Sequence, residues 1–199
     1  MTPRERLVQH IDNIREYGRI AGFWQIARRA FANNSFDGVL TTIGLLMGSY
    51  VAGVRDGSVV IRTGVATSMA MGISGLWGSW LAESAERGRE LAELEKLSLT
   101  DLGQTKIGRA SRMAVVVVSV VDGLAPFLSS MFVLIPLFFW PLMADIVVGY
   151  TLCMVVALVS LFGLGAWLGS ISGASIIRYG LRTVIAGVVS IALSFLLGT

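Results

Sequence analysis

Two aspartate-glycine pairs lie inside apolar stretches of the chain, and their carboxylates are candidate ligands for a cation. Asp37-Gly38 belongs to SFDGVLTTIGLLMGSYVAGV, and Asp122-Gly123 belongs to MAVVVVSVVDGLAPFLSSMFVLIPLFF. A carboxylate is expensive to place in hydrocarbon, so it usually faces a bundle interior or a wet cavity and marks a transport path. The alternative is that each carboxylate caps or hydrogen-bonds a neighbouring helix. The similar settings suggest two halves built on one plan.

Small and polar residues recur at helical spacing around both aspartates, and we predict that they line the same path. The face of Asp37 continues with Thr41, Gly44 and Gly48. The face of Asp122 includes Ser119, Pro126 and Ser129. Proline removes a backbone donor, which can kink the helix and leave a carbonyl oxygen as a ligand.

The two aspartates are expected at similar depths. Asp37 follows Arg29 by eight residues and Asp122 follows Arg112 by ten. Both therefore lie roughly 12–15 Å beyond a cytoplasmic anchor at the helical rise per residue. Two carboxylates that face one dry cavity repel, so one of them holds a proton until a metal ion arrives. That arrangement would couple metal entry to proton release.

Methionines in the second apolar segment add a soft candidate ligand. Met69 and Met71 are two residues apart, so they point to roughly opposite helix faces and at most one lines a path. A thioether suits late transition metals better than magnesium or calcium. The alternative is that both methionines fill the core.

A third set of candidates follows the second apolar segment. Glu83, Glu86 and Glu90 share one helical face. Several carboxylate oxygens together bind hard cations. Yet Arg87 follows Glu83 by four residues, which is an ordinary ion-pair spacing. The pattern therefore fits either metal capture or a solvated, ion-paired face.

The composition places these residues in a membrane protein. Residues of the hydrophobic class make up 54% of the 199 residues, charged residues make up 15%, and the mean hydropathy is +0.73. We predict an all-α membrane protein with five transmembrane helices, because about 20 apolar residues cross a bilayer. The predicted spans are Phe36–Val54, Gly64–Ala82, Met113–Phe139, Ile146–Ile171 and Ile176–Leu197.

Basic residues predict the orientation. With the N-terminus cytoplasmic, fourteen of the sixteen lysines and arginines fall inside and only Arg55 and Arg62 fall outside. Residues 1–33 are predicted to form an amphipathic cytoplasmic or interfacial helix, continuous over 3–33. Residues 34–199 form the transmembrane domain, which includes a short cytoplasmic helical segment over 83–112. Within that segment, Thr100 is the predicted N-cap of the next helix.

Several function classes are disfavoured. Cys153 is the only cysteine and His10 the only histidine, so neither a disulfide nor a Cys/His metal cluster is expected. We expect no enzymatic activity and no cofactor. The net charge of +3 is explained by membrane orientation, so no nucleic-acid partner is expected.

Three stretches resemble the vacuolar iron transporter family of ferrous iron and manganese carriers. Asn34–Leu45, NSFDGVLTTIGL, is similar to the family's first span, and Ser68–Gly72, SMAMG, is similar to the core of its second. Ser172–Arg182, SGASIIRYGLR, resembles the start of its fifth span and is the most specific of the three. The resemblance covers essentially residues 30–199.

The resemblance implies a homodimer with an ion path between protomers, exchange against protons, and a glutamate-rich cytoplasmic domain that gathers metal. Carried over to this chain, Asp37 and Met69 become path ligands. Many members have glutamate directly after the glycine of the second-span motif, where this chain has Ile73. We therefore expect Asp122 to supply the missing carboxylate, and we predict that it faces the same cavity as Asp37.

These observations predict a multi-pass membrane carrier that exports Fe²⁺ or Mn²⁺ from the cytoplasm as its substrate. It would reside in the plasma (inner) membrane of a prokaryote or a vacuole-type membrane otherwise. The alternatives are a non-transporting membrane protein with an interaction or structural role on the same fold, and a carrier of another small solute.

Overall fold

The described part of the chain is almost entirely helical. The structure, a computed structural model, describes residues 14–143 and 145–197, which contain no strand. Helix α1 is described over residues 14–21. The other elements are α2 (Phe23–Val51), α3 (Gly57–Ser98), α4 (Lys106–Leu134), a 3₁₀ segment (Ile135–Leu142), α5 (Ile146–Ile171) and α6 (Ile176–Leu197). The predicted all-α class is confirmed.

Four stretches of the described chain are long and apolar enough to cross a membrane. They are Gly57–Ser98, Lys106–Leu142, Ile146–Ile171 and Ile176–Leu196, so a multi-pass membrane protein is supported. Helix α2, which contains most of the first predicted span but ends at Val51, is 29 residues long and is not among them. The polar side chains of Asp37, Thr41 and Thr42 interrupt its apolar stretch. A fifth span therefore remains a proposal.

Two sequence predictions about helix ends are wrong. The helix expected over 3–33 is interrupted at Gly22, whose φ of +62° is left-handed and suits a residue without a β-carbon; residues 3–13 lie outside the described chain. Thr100 is not an N-cap, because α4 begins at Lys106. The carboxylate of Asp101 instead accepts a hydrogen bond from the Gly103 amide at 2.8 Å and holds a turn.

The chain divides into two compact units, and the division falls within α2, α3 and α4. The second unit contains Ala32–Ile73 and the residues from Leu124 onward. Its core is apolar and draws on α2, α3, α4, the 3₁₀ segment and α5. The largest fully buried side chains of this core are Val39, Ile43, Leu46, Val60, Val133, Leu134, Leu137, Cys153 and Leu161.

The first unit contains the residues up to Phe31 together with Ser74–Gly123. Phe23 of α2 is fully buried there with Ala114 and Val118 of α4, and residues of α1 pack against this cluster. Lys106 Nζ lies 2.6 Å from a carboxylate oxygen of Glu16, which ties α1 to the start of α4. This exposed ion pair adds little stability by itself, so the apolar cluster is the main contact.

Candidate functional site

Asp37 lines a cavity of about 430 Å³ in the second unit. Its side chain is exposed on α2. Asn33, one turn earlier on the same helix, and Thr183 of α6 supply the other polar groups at the cavity. The remaining lining residues are apolar and come from α2 and α5: Ala32, Phe36, Leu164 and Leu168. The cavity is therefore apolar except for one carboxylate, one amide and one hydroxyl group.

Close packing between α2 and α4 explains why a glycine follows Asp37. A β-carbon built at Gly38 would lie 2.6 Å from the carbonyl oxygen of Pro126 on α4, closer than real contacts allow. The Gly38 carbonyl also accepts hydrogen bonds from Thr42 at 2.8 Å and from buried Ser130 of α4 at 3.0 Å. The glycine therefore lets α2 and α4 touch through their backbones, and Asp37 is held beside that contact.

Thr183 is fixed by its hydrogen bonds and by close helix packing. Its hydroxyl donates to the Leu161 carbonyl of α5 at 2.7 Å and lies 2.8 Å from the Gly180 carbonyl of its own helix. A β-carbon at Gly165 of α5 would lie 2.6 Å from the Tyr179 carbonyl oxygen, so the two helices are in backbone contact here. The hydroxyl oxygen keeps lone pairs that can accept a bond or bind a cation.

The stretch Ser172–Arg182 forms the connection between α5 and α6 and the start of α6. Gly173 has a φ of +66°, and the amides of Ser172 and Ala174 donate to carbonyls of the last turn of α5. This is the glycine-terminated helix end that hydrogen-bonds the last carbonyls. This stretch therefore positions the helix that brings Thr183 to the cavity.

Sequence reasoning missed Asn33 and Thr183. Asn33 precedes Asp37 by four residues, so helical spacing alone would have placed it on the same face. Thr183 gave no such signal, because α6 follows α2 by more than one hundred residues and periodicity does not reveal which helices meet.

The predicted soft ligand does not line the Asp37 cavity. Met69 is 52% exposed on α3, Ile73 on the same face is 67% exposed, and Met71 is half-buried. Thr41 is likewise exposed on α2, and a β-carbon at Gly44 would meet no atom within 4 Å. The predicted path residues Met69 and Thr41 therefore lie on the surface of a single copy of the chain.

Asp122 is half-buried in the first unit, at a close contact between α3 and α4. A β-carbon at Gly75 would lie 2.6 Å from the Asp122 carbonyl oxygen. Pro126 cannot donate to that carbonyl, so the glycine lets α3 pack directly against it. Each of the two aspartates thus stands beside a backbone contact made possible by glycine. The predicted cavity shared by Asp122 and Asp37 stays a prediction.

Two other predicted path residues are buried in helix contacts. Ser119 is 2% exposed, and its hydroxyl donates to the Val115 carbonyl of its own helix at 2.6 Å. Pro126 is buried beside Gly38, and its carbonyl accepts from Ser129 at 3.1 Å. Their oxygens are therefore already hydrogen-bonded within the protein.

The three candidate glutamates of α3 are paired with arginines. Arg87 lies 3.5 Å from Glu83 and 3.1 Å from Glu90, whereas Arg89 lies 2.6 Å from Glu86. Glu86 lies beyond the apolar stretch that ends at Ala82. A hydrogen bond from Arg89, together with the attraction of its positive charge, lowers the pKa of the Glu86 carboxyl group. Within the described chain, no group of three or more histidine, cysteine or acidic side chains is arranged to hold a metal ion. Metal capture by these glutamates stays a prediction.

Comparison with known proteins finds a relative of this chain but no family. No family model matches the chain. An uncharacterized protein of Methanocaldococcus jannaschii is 28% identical over 168 residues, which cover 83% of this chain and 84% of that protein. The similarity extends over more than four fifths of each chain and assigns no activity.

Proposed function

We propose that this protein is a membrane transporter that moves Fe²⁺ or Mn²⁺ out of the cytoplasm in exchange for protons. The observation that carries the proposal is the Asp37 cavity, which is lined by the carboxylate of Asp37 and by the polar side chains of Asn33 and Thr183. Carboxylate and carbonyl oxygens bind hard and intermediate divalent ions. An ionisable residue in a membrane helix is by default a functional residue.

A second copy of the chain would complete the path. Asp37 and Thr41 are exposed on α2, and hydrocarbon cannot satisfy their polar groups. Gly44 and Gly48 continue this surface, and a β-carbon at either would meet no atom within 4 Å. Small residues at such spacing let membrane helices approach closely. We therefore assign this surface to a homodimer contact and Met69 to the ion path between the copies.

Manganese flux into proteoliposomes tests the proposal. Asp37→Asn keeps the shape of the side chain and removes its charge, so it should abolish flux while the protein stays folded and dimeric. Asp145→Asn is the matched control, because Asp145 only caps α5 by accepting from the Val147 amide and asparagine caps a helix equally well. It should retain wild-type flux.

Two results would contradict the proposal. Wild-type flux in Asp37→Asn would exclude Asp37 as the central ligand. A folded wild-type protein that moves neither Mn²⁺ nor Fe²⁺ would favour an interaction or structural role, or a different solute.

A further inference from the structure

A second cavity, of about 340 Å³, lies in the first unit between α3 and α4, and it shares no lining residue with the Asp37 cavity. It is lined by apolar, hydroxyl and basic side chains. The residues that matter here are Trp80, Ser84 and Arg87 of α3 and Ser111, Arg112 and Val115 of α4.

Glycines create the space. Gly75 brings α3 and α4 into backbone contact at Asp122, before the cavity begins. Farther along α3, Gly88 lines the cavity and has no side chain to fill it. A β-carbon at Gly88 would meet no atom within 4 Å, so the cavity has room for an occupant.

The lining changes from apolar to basic along the helices. Trp80 and Val115 lie inside the predicted spans, near their cytoplasmic ends. Arg87 lies about two turns beyond Trp80, and Arg112 lies about one turn beyond Val115. The Trp77 and Trp80 rings form a pair with centroids 5.6 Å apart. Tryptophans of this kind mark the headgroup level of a bilayer. The cavity therefore spans the boundary between hydrocarbon and headgroups.

The two arginines of the cavity differ in whether their charge is already paired with glutamates. Arg87 is only 13% exposed and is bracketed by Glu83 at 3.5 Å and Glu90 at 3.1 Å. Arg112 is exposed and makes no ion pair with any residue in the described chain. Arg112 is therefore the cation available to an anion in this cavity.

We propose that this cavity binds the headgroup of an anionic phospholipid from the cytoplasmic leaflet. The phosphate lies against Arg112 and the hydroxyls of Ser84 and Ser111, and the first methylenes of the lipid lie along Trp80 and Val115. Arginine is well suited to phosphate oxygens. The cytoplasmic leaflet is rich in anionic lipid, and the distribution of basic residues predicts that this end of α3 and α4 is cytoplasmic. The site does not depend on metal transport.

Native mass spectrometry with equimolar phosphatidylglycerol and phosphatidylcholine tests the site. The wild-type protein should retain phosphatidylglycerol in preference. Arg112→Gln should lower that preference about tenfold, the loss expected when a charge-assisted hydrogen bond to the phosphate inside the cavity is removed. Arg109→Gln is the matched control, since Arg109 is exposed on the same helix and does not line the cavity. It should keep the wild-type preference.

A second variant tests the cavity itself. Gly88→Leu would fill the space and should reduce retention of both lipids, with helicity by circular dichroism confirming that the variant folds. Excess inorganic phosphate should leave bound phosphatidylglycerol in place. Equal retention of the two lipids by the wild type would overturn the proposal. So would equal losses in Arg109→Gln and Arg112→Gln, undiminished retention in Gly88→Leu, or displacement by inorganic phosphate.

Discussion

The hydroxyl of Ser130 on α4 donates a hydrogen bond to the backbone carbonyl of Gly38 on α2, with 3.0 Å between the oxygens. Ser130 is fully buried, and Thr42 donates to the same carbonyl. Successive helical residues point about 100° apart, so the Asp37 side chain leaves the helix in a different direction from this contact. The contact thus fixes α2 against α4 and leaves the carboxylate at its cavity.

Gly38→Ala should destabilise the protein by about 1–3 kcal/mol, because the added methyl group would collide with the backbone of α4. Gly163→Ala on α5 is the matched control, since a β-carbon there meets no atom within 4 Å. It should be neutral or stabilising by up to about 1 kcal/mol from helix propensity. Thermal unfolding in detergent measures both, and similar melting temperatures would contradict the close approach at Gly38.

Thr183→Val should impair manganese transport because it removes the only hydroxyl at the Asp37 cavity within the described chain. The substitution also deletes the hydrogen bond to the Leu161 carbonyl, at a stability cost of about 0.5–1.5 kcal/mol. Thr183→Ser keeps the hydroxyl and should retain most of the flux. Initial rates over a range of Mn²⁺ concentrations separate lower affinity from lower protein stability. Equal rates in the two folded variants would show that the hydroxyl has no part in transport.

The spacing of residues along the chain predicted where the helices lie better than it predicted which helices are in contact. Helices α5 and α6 begin and end where the apolar stretches Ile146–Ile171 and Ile176–Leu197 predicted, because long uninterrupted hydrophobic runs leave few alternatives. The start of α4 was misplaced because Thr100 is a good cap residue by type, yet Asp101 and Gly103 close a turn there instead.

The candidate site was predicted only in part. Asp37 stood out because a carboxylate is rare in an apolar run. The sequence paired Gly38 with Asp37 but could not show why a glycine is needed there, because that need arises from Pro126 on another helix. Thr183 likewise reaches the cavity only through the packing of α6 on α5. Such information lies in tertiary contacts that one-dimensional periodicity does not contain.

The topology predicts where the chain ends lie. A tag at residue 1 should be accessible only from the cytoplasm, and a tag at residue 199 only from the opposite side, because fourteen of sixteen basic residues then lie inside. Accessibility to a membrane-impermeant reagent in intact and broken cells measures this. Both tags on one side would indicate an even number of spans and would make α2 or α6 the helix that does not cross.

Asp122→Asn should change the pH dependence of manganese transport more than its metal affinity. If Asp122 shares a dry site with Asp37, as the sequence predicts, its carboxylate should exchange a proton as the metal enters. Flux measured from pH 5.5 to 8 at saturating and limiting Mn²⁺ separates the two effects. A pH profile that coincides with that of the wild type would remove Asp122 from the coupling.

Replacing Glu83, Glu86 and Glu90 together by glutamine should weaken Mn²⁺ binding, if these carboxylates gather metal for transport. The arginines beside them should compete with the metal, because Arg89 lies 2.6 Å from Glu86 and 3.5 Å from Glu93. Arg89→Gln should therefore strengthen Mn²⁺ binding, and Arg62→Gln, a change on the same helix but distant in sequence from these glutamates, should leave it unaltered. Calorimetric titration measures all three variants. If the triple variant binds Mn²⁺ as tightly as the wild type, the glutamates only solvate the helix, and their loss should change stability little because exposed ion pairs contribute little.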